Sequence, residues 1–403
     1  MKTRCYILSL LLFISFLPKT SFGQNNYSTI SFDFFGDPVS LSFDKSNEIS
    51  FGDILTQQTL QSFQKTIAAG NSDLFIKELL DYKKQYQLDD WLYYQLIRKT
   101  AQHISPKTEN YYRYTLYKWF LLTKSGYDAT IKTNGEKMLF YVHTEESIYN
   151  IPSYIKNGKQ YVCLNYHDYG GYIDFEKEKF IEVELPVIGA EKGFSYKITR
   201  LPEFSPGDYE DRKLQFNYKE TDYQFKVKLN PQIKTIFANY PVVDYESYFN
   251  IPLSKATHES LIPLLKKNVK GMNTKNGVDY LMRFTRYAFL FEKDSEVYGK
   301  EKRLSPEQTL LYEQSDCEDR AALFFSLVKE IYNLPMIVLA YPDHVTIAVK
   351  FNRPVGTPIL YNGDKYSVCE PTPQKQDLAV GQLSRNLKKE TYEIVYAYSP
   401  SRQ

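Results

Sequence analysis

Residues 315–335 read SDCEDRAALFFSLVKEIYNLP, and this stretch governs how the rest of the chain is read. Ser315 with Glu318 fits the S-x-x-E capping box, and Ala321, Phe325, Val328 and Tyr332 then recur at helical spacing. The pattern predicts a helix over 316–332 with Cys317 in its first turn. There the unpaired backbone N–H groups and the positive end of the helix dipole favour thiolate, the nucleophilic form of cysteine. Asp316, Glu318, Asp319 and Arg320 make this helix start too polar for an ordinary core cysteine.

A nucleophilic sulfur needs a proton acceptor beside it. Downstream, strands are expected at 336–340, 344–351, 365–370 and 392–398. His344 opens the second of them, after the Tyr341-Pro342-Asp343 turn, and shares a strand face with Thr346 and Ala348. Glu370 ends the next strand, facing the same way as Tyr366 and Val368. If the two strands are neighbours, its carboxylate reaches the far ring nitrogen of His344 and orients it. Asp343 and Asp364 are poorer candidates because both read as turn residues. By the same alternation Cys369 points away, as a packing residue or a disulfide partner.

Upstream, amphipathic helices are expected at 259–269 and 278–291, then a loop containing Tyr298-Gly299 and Ser305-Pro306-Glu307. Helices followed by strands make an α+β arrangement. The succession DCEDRA at a helix start, HVTIAVK opening a strand and YSVCEPT ending one, with SPEQTL ahead of the cysteine, resembles the transglutaminase-like superfamily of papain-like cysteine enzymes. The resemblance covers roughly residues 255–400. It implies Cys317 as acyl-accepting nucleophile, His344 as general base and then acid, and Glu370 where members usually carry aspartate. It also implies an oxyanion hole made by the Cys317 backbone N–H and one further donor, for which Tyr312 and Gln314 are the nearby candidates.

The resemblance does not extend to residues 24–230. Residues 28–43 alternate around Gly36-Asp37-Pro38 as two short strands, residues 51–124 turn helical, and strands return at 138–142 and 159–165. Residues 194–198, 214–218 and 223–229 alternate at a spacing that suggests a small antiparallel β module, perhaps a sandwich, ending at Asn230-Pro231. The expected division is therefore a leader over 1–23, a mixed helix and strand region over 24–178, the β module over 179–235 and the transglutaminase-like domain over 236–403. An internal echo accompanies it: GKQYVC at 158–163 resembles GDKYSVC at 363–369, each after a helix, a turn and a strand, so the 24–178 region also reads as a degenerate duplicate. No cysteine stands at the helix start of the first copy, which begins Asn110-Tyr111-Tyr112.

Composition sets the outer limits. A chain of 403 residues suggests about two to three domains, and 43% hydrophobic residues with 36 tyrosines and 26 phenylalanines suit a folded, β-containing protein. Lys2 and Arg4, the apolar run from Tyr6 to Leu17 and the small residues before Gln24 read as an export signal, so a periplasmic or extracellular location is expected. Once it is removed, 47 basic residues face 48 acidic ones, and bulk charge draws neither nucleic acid nor anionic lipid. No later segment is apolar enough to span a membrane. Three cysteines then remain, Cys163, Cys317 and Cys369, too few for a disulfide scaffold.

HExxH, CxxC and phosphate-loop patterns are missing from the sequence, so no metal and no cofactor is expected. His103, His143, His167 and His258 have no partner at matching spacing. The expectation is an exported cysteine amidase, peptidase or acyltransferase acting on a protein or peptide, with the oligomeric state open. The alternative is an exported binding or scaffold protein that keeps the fold without catalysis.

Overall fold

The computed structural model describes residues 26–52, 54–170, 172–288, 290–291, 303–312 and 314–400, with 290, 291 and 314 described for their backbone alone. The expected leader and the Tyr298-Gly299 loop lie outside the described residues.

The chain opens with an antiparallel hairpin, β1 (Tyr27–Phe34) and β2 (Asp37–Asp44). Phe35 and Gly36 turn it, both at positive φ. Four helices follow: α1 (Gln57–Ala69), α2 (Asp73–Gln85), α3 (Asp90–Ile104) and α4 (Tyr111–Lys124). The Asn71-Ser72-Asp73 and Ser105-Pro106-Lys107 clusters separate them as their turn chemistry demands. Asn110 caps α4 by accepting from the Arg113 N–H at 2.7 Å.

A sheet comes next, from β3 (Ala129–Thr133), β4 (Met138–Thr144), the short β5 (Ile148–Tyr149), β6 (Ser153–Lys156), β7 (Lys159–Cys163) and β8 (Ile181–Val183). Five of these strands form one antiparallel sheet in the order β6-β7-β4-β3-β8, with α4 against β3 and β4.

Two expectations for the middle of the chain are corrected here. Residues 194–198 form no strand. Phe194, Tyr196 and Ile198 are buried on one side, as their alternation requires. However, the backbone donors are taken by carboxylates: Ser195 N–H gives to Asp90 at 3.1 Å, Tyr196 N–H to Glu146 at 2.7 Å and Thr199 N–H to Asp89 at 2.7 Å. The β module is likewise a single hairpin of β9 (Glu210–Tyr218) and β10 (Thr221–Leu229), not a sandwich. It packs on the helices that follow it.

After Asn230-Pro231 come α5 (Ile233–Phe237), β11 (Val242–Val243), α6 (Tyr245–Phe249), α7 (Lys255–Val269) and α8 (Thr274–Tyr287). β11 pairs back to β5. Phe216 and Phe225 of the hairpin lie edge-on against Phe284 of α8, with ring centroids 5.6 and 5.4 Å away. The short β12 (Leu290–Phe291) then pairs in parallel with β13 (Gln314–Ser315), on either side of α9 (Pro306–Leu311). The chain finishes with α10 (Cys317–Tyr332), β14 (Met336–Tyr341), β15 (His344–Val349), β16 (Ile359–Tyr361), β17 (Asp364–Cys369) and β18 (Glu393–Tyr398).

These last strands form a second antiparallel sheet ordered β16-β17-β15-β14-β18, with α10 against β15. Strand for strand this is the order of the first sheet, and each sheet is entered from a capped helix. The hairpins β6-β7 and β16-β17 turn on Asn157-Gly158 and Asn362-Gly363, all four residues at positive φ as a type I′ turn requires. Matching these turns pairs Tyr161 with Tyr366, Cys163 with Val368, Leu164 with Cys369 and Asn165 with Glu370. The two cysteines of the sequence echo are therefore offset by one position and lie on opposite sheet faces. Tyr161 and Cys163 belong to a satellite cluster on the outer face of the first sheet, Tyr366 and Val368 to its counterpart on the second. Cys369 faces inward, into an apolar core that runs without a break from Phe34 to Val380.

Both helices and sheets are present and segregated along the chain, an α+β architecture. Among the described residues no helix is long and apolar enough to cross a membrane.

Candidate active site

The first turn of α10 is built from two aspartates. Asp316 is the N-cap, accepting from the Asp319 N–H at 3.1 Å, while the Asp316 N–H gives to the Asp319 carboxylate at 3.3 Å. The capping box thus falls one residue later than Ser315 and Glu318 suggest, because Ser315 is held in β13. Asp319 also accepts from the Leu304 N–H at 2.8 Å and the Tyr248 hydroxyl at 3.3 Å, which ties the chain before α9 to this helix. Ala321, Ala322, Leu323, Phe324, Phe325, Leu327 and Val328 are fully buried, so α10 is enclosed on every side and not merely striped.

Cys317 is the first residue of α10, and its sulfur lies within electrostatic reach of the backbone N–H of Val345, next along β15 from His344. Burial pushes the thiol well above its ordinary pKa. Asp316, Glu318 and Glu370 push the same way, and the Val345 N–H opposes them. Burial and the carboxylates thus work against what the helix terminus alone would favour.

His344 opens β15, and its ring Nε2 lies 2.8 Å from Oε2 of Glu370. Glu370 stands one residue beyond β17 and is fully buried. Its other oxygen accepts from the Thr372 N–H at 2.9 Å. The register Ile347↔Cys369 places Glu370 diagonally across from His344, on the strand face expected from alternation. The structure thus joins His344 to Glu370 directly and sets the Cys317 sulfur against the adjacent backbone.

Tyr312 closes α9 with its ring 4.7 Å beneath the Lys234 ammonium. The Gln314 side chain lies outside the described residues, its backbone being paired with Leu290 in β12. Cys163, Cys317 and Cys369 are all unpaired, and Cys369 is fully buried. His258 faces Glu330 at 3.1 Å, His103 stacks on Phe32 with centroids 4.6 Å apart, and His167 pairs with Asp168 at 3.2 Å. Among the described residues no cluster suited to a metal ion occurs.

Three residues that sequence reasoning passed over shape this site. Arg286, 1% exposed, hydrogen-bonds the backbone carbonyl of Glu370 and also holds Asp377 at 2.7 Å and the Leu378 carbonyl at 3.0 Å. It fixes the segment carrying the carboxylate. An arginine inside the apolar face Leu281, Met282, Thr285 of α8 was the available signal, since a buried charge demands a partner. Tyr245 of α6 gives its hydroxyl to Glu318 at 3.1 Å, close enough to Cys317 for the two to interact electrostatically. Arg303 stacks over the Tyr245 ring at 4.2 Å and reaches Glu318 at 3.5 Å. Neither has a local sequence signature.

Compared with known proteins, the chain matches no family model, no curated protein and no solved structure.

Proposed function

We propose that this chain is an exported cysteine enzyme of transglutaminase-like type that cleaves or transfers an amide of a protein or peptide through an acyl-enzyme on Cys317. The observation that carries the reading is the 2.8 Å bond between His344 Nε2 and a fully buried Glu370, with the Cys317 sulfur, at the start of α10, within electrostatic reach of Glu370 and the Val345 N–H. Nε2 is engaged with the carboxylate, which leaves Nδ1 of His344 to take the thiol proton.

Because burial and the nearby carboxylates raise the thiol, proton transfer and attack belong to one step. Sγ bonds to the amide carbon as its proton passes to His344, and the imidazolium then gives that proton to the leaving amine as the C–N bond breaks. Water, deprotonated by His344, releases the acid and the thiol. An amine in place of water would make the reaction a transfer. Glu370 holds the ring in one tautomer and steadies its charged form.

A second reading, an exported binding or scaffold protein without catalysis, draws on the raised Cys317 thiol. One experiment separates the two. Wild-type protein and Cys317→Ala are treated at neutral pH with a thiol-directed electrophile bearing a peptide amide. The enzyme reading expects stoichiometric labelling of the wild type and none of the variant. Equal labelling of both removes Cys317 as nucleophile and leaves the scaffold reading.

A further inference from the structure

The first half of the molecule repeats the topology of the second but not its chemistry. With the Asn-Gly turns and helix starts matched, Tyr111 stands in the place of Cys317 and Asn165 in that of Glu370. Asn165 gives a hydrogen bond to the Tyr111 hydroxyl at 2.7 Å and accepts from the Phe140 N–H at 2.8 Å, closing the position that a thiol and a carboxylate would need. The loop after β7, equivalent to the loop that carries Glu370, has become a wall. Together with Trp91, Tyr196 and the connector 238–242 it bounds a cavity of about 750 Å³ whose far side is Arg303 of the second half. That volume lies within the range of about 300–1,000 Å³ typical of small-ligand sites.

Arg303 links this cavity to the sulfur. Its guanidinium packs on Tyr245 and meets Glu318, the neighbour of Cys317. One N–H goes to the Val243 carbonyl at 2.9 Å, while Nε is buried and meets no acceptor among the described residues. A guanidinium whose donors are not all taken favours a further acceptor on the side that faces the cavity. None of the described residues lining the cavity is acidic, whereas Arg303 supplies a guanidinium and Trp91, Tyr196 and Tyr240 supply rings.

We infer that this cavity is a recognition site for a carboxylate-bearing peptide segment, with the carboxylate on Arg303 and the adjoining amide led toward Cys317. The inference rests on the reading of Cys317 as the reacting group but concerns binding alone. The carboxylate has two possible sources, an acidic side chain and a chain terminus, and both present the same two-oxygen acceptor to the guanidinium.

The test uses the full-length chain carrying Cys317→Ala, so that binding is read without turnover. Three probes are titrated by calorimetry: Ala-Ala-Glu-Ala blocked at both ends, Ala-Ala-Gln-Ala blocked at both ends, and Ala-Ala-Gln-Ala with a free C-terminal carboxylate. At least one carboxylate peptide should bind about tenfold or more tighter than the doubly blocked glutamine peptide, and the better of the two names the source. Arg303→Gln should abolish the preference. Asn239→Asp, which puts a negative charge in the cavity wall away from the catalytic helix, should abolish it as well. Equal affinities, a preference that survives both substitutions, or no binding of any probe would overturn the inference. Any of these, combined with intact labelling of wild-type Cys317, would leave the enzymatic reading standing.

Discussion

Lys118 lies on α4 with its side chain 1% exposed and its ammonium 4.0 Å from Asp168. Burial pushes its pKa down to about 7, with Arg98 and Lys107 pushing the same way and Asp168 pulling back. Burial would raise the Asp168 carboxyl, but the His167 hydrogen bond and the nearby lysines outweigh it and keep that group well below the ordinary range. Lys107 lies 2.6 Å from Asp168, so the carboxylate stays paired whether or not Lys118 is charged. An unfolded lysine titrates near about 10.4. Between these two values the unfolded chain holds a proton that the folded chain has lost, so this residue makes stability rise as pH increases from about 7 toward about 10.4. Lys118→Met should be more stable than wild type at neutral pH and should show a flatter alkaline rise. Urea unfolding at a series of pH values measures both, and an identical slope in the two proteins would mean that Lys118 stays charged in the fold.

The start of α10 puts two demands in conflict: the capping aspartate that holds the helix also raises the thiol beside it. Asp316→Asn keeps a side-chain oxygen able to accept from the Asp319 N–H, since asparagine caps as well as aspartate, but removes the charge. The expected outcome is faster Cys317 alkylation at neutral pH, with stability changed by less than about 1 kcal/mol. Asp316→Ala should cost about 0.5–2 kcal/mol by loss of the cap. An alkylation rate unchanged in Asp316→Asn would show that burial and the other carboxylates, not the cap, govern the thiol. Much of this element was legible beforehand. Helical spacing located α10, strand alternation located His344 and Glu370, and the Gly36 cluster located the first turn. Residues 194–198 misled because alternation reports which side chains are buried, not what satisfies the backbone, and here Asp89, Asp90 and Glu146 take the place of a neighbouring strand. Arg286 and Arg303 were missed for a related reason: each acts across 60 to 90 positions of chain, onto backbone carbonyls that no side-chain pattern announces.

At the scale of the molecule, the hairpin β9-β10 packs on the helices α7 and α8 that follow the boundary expected at residue 235. Leu214, Phe216, Phe225 and Val227 are buried in the common core. Arg212 reaches the Leu311 carbonyl at 2.8 Å and the Thr257 hydroxyl gives to the Lys228 carbonyl at 2.7 Å. Losing four such apolar contacts at about 2 kcal/mol each removes an amount comparable to the whole stability of a domain, about 5–15 kcal/mol. Residues 236–403 alone should therefore lack a cooperative thermal transition by circular dichroism, and residues 205–403 should regain one. A sharp transition in the shorter chain would place the boundary where composition suggested. The order of strands within each sheet could not be read from the residues, because alternation assigns faces and leaves neighbours open; the matching Asn-Gly turns were in plain view but were masked by the more conspicuous pair of cysteines. Those cysteines now carry a practical consequence. Cys163 and Cys369 are buried where Cys317 is only partly so, so a dye or spin label attached through sulfur to residues 26–400 goes first to Cys317, and its signal would report on the start of α10 without any engineered attachment point.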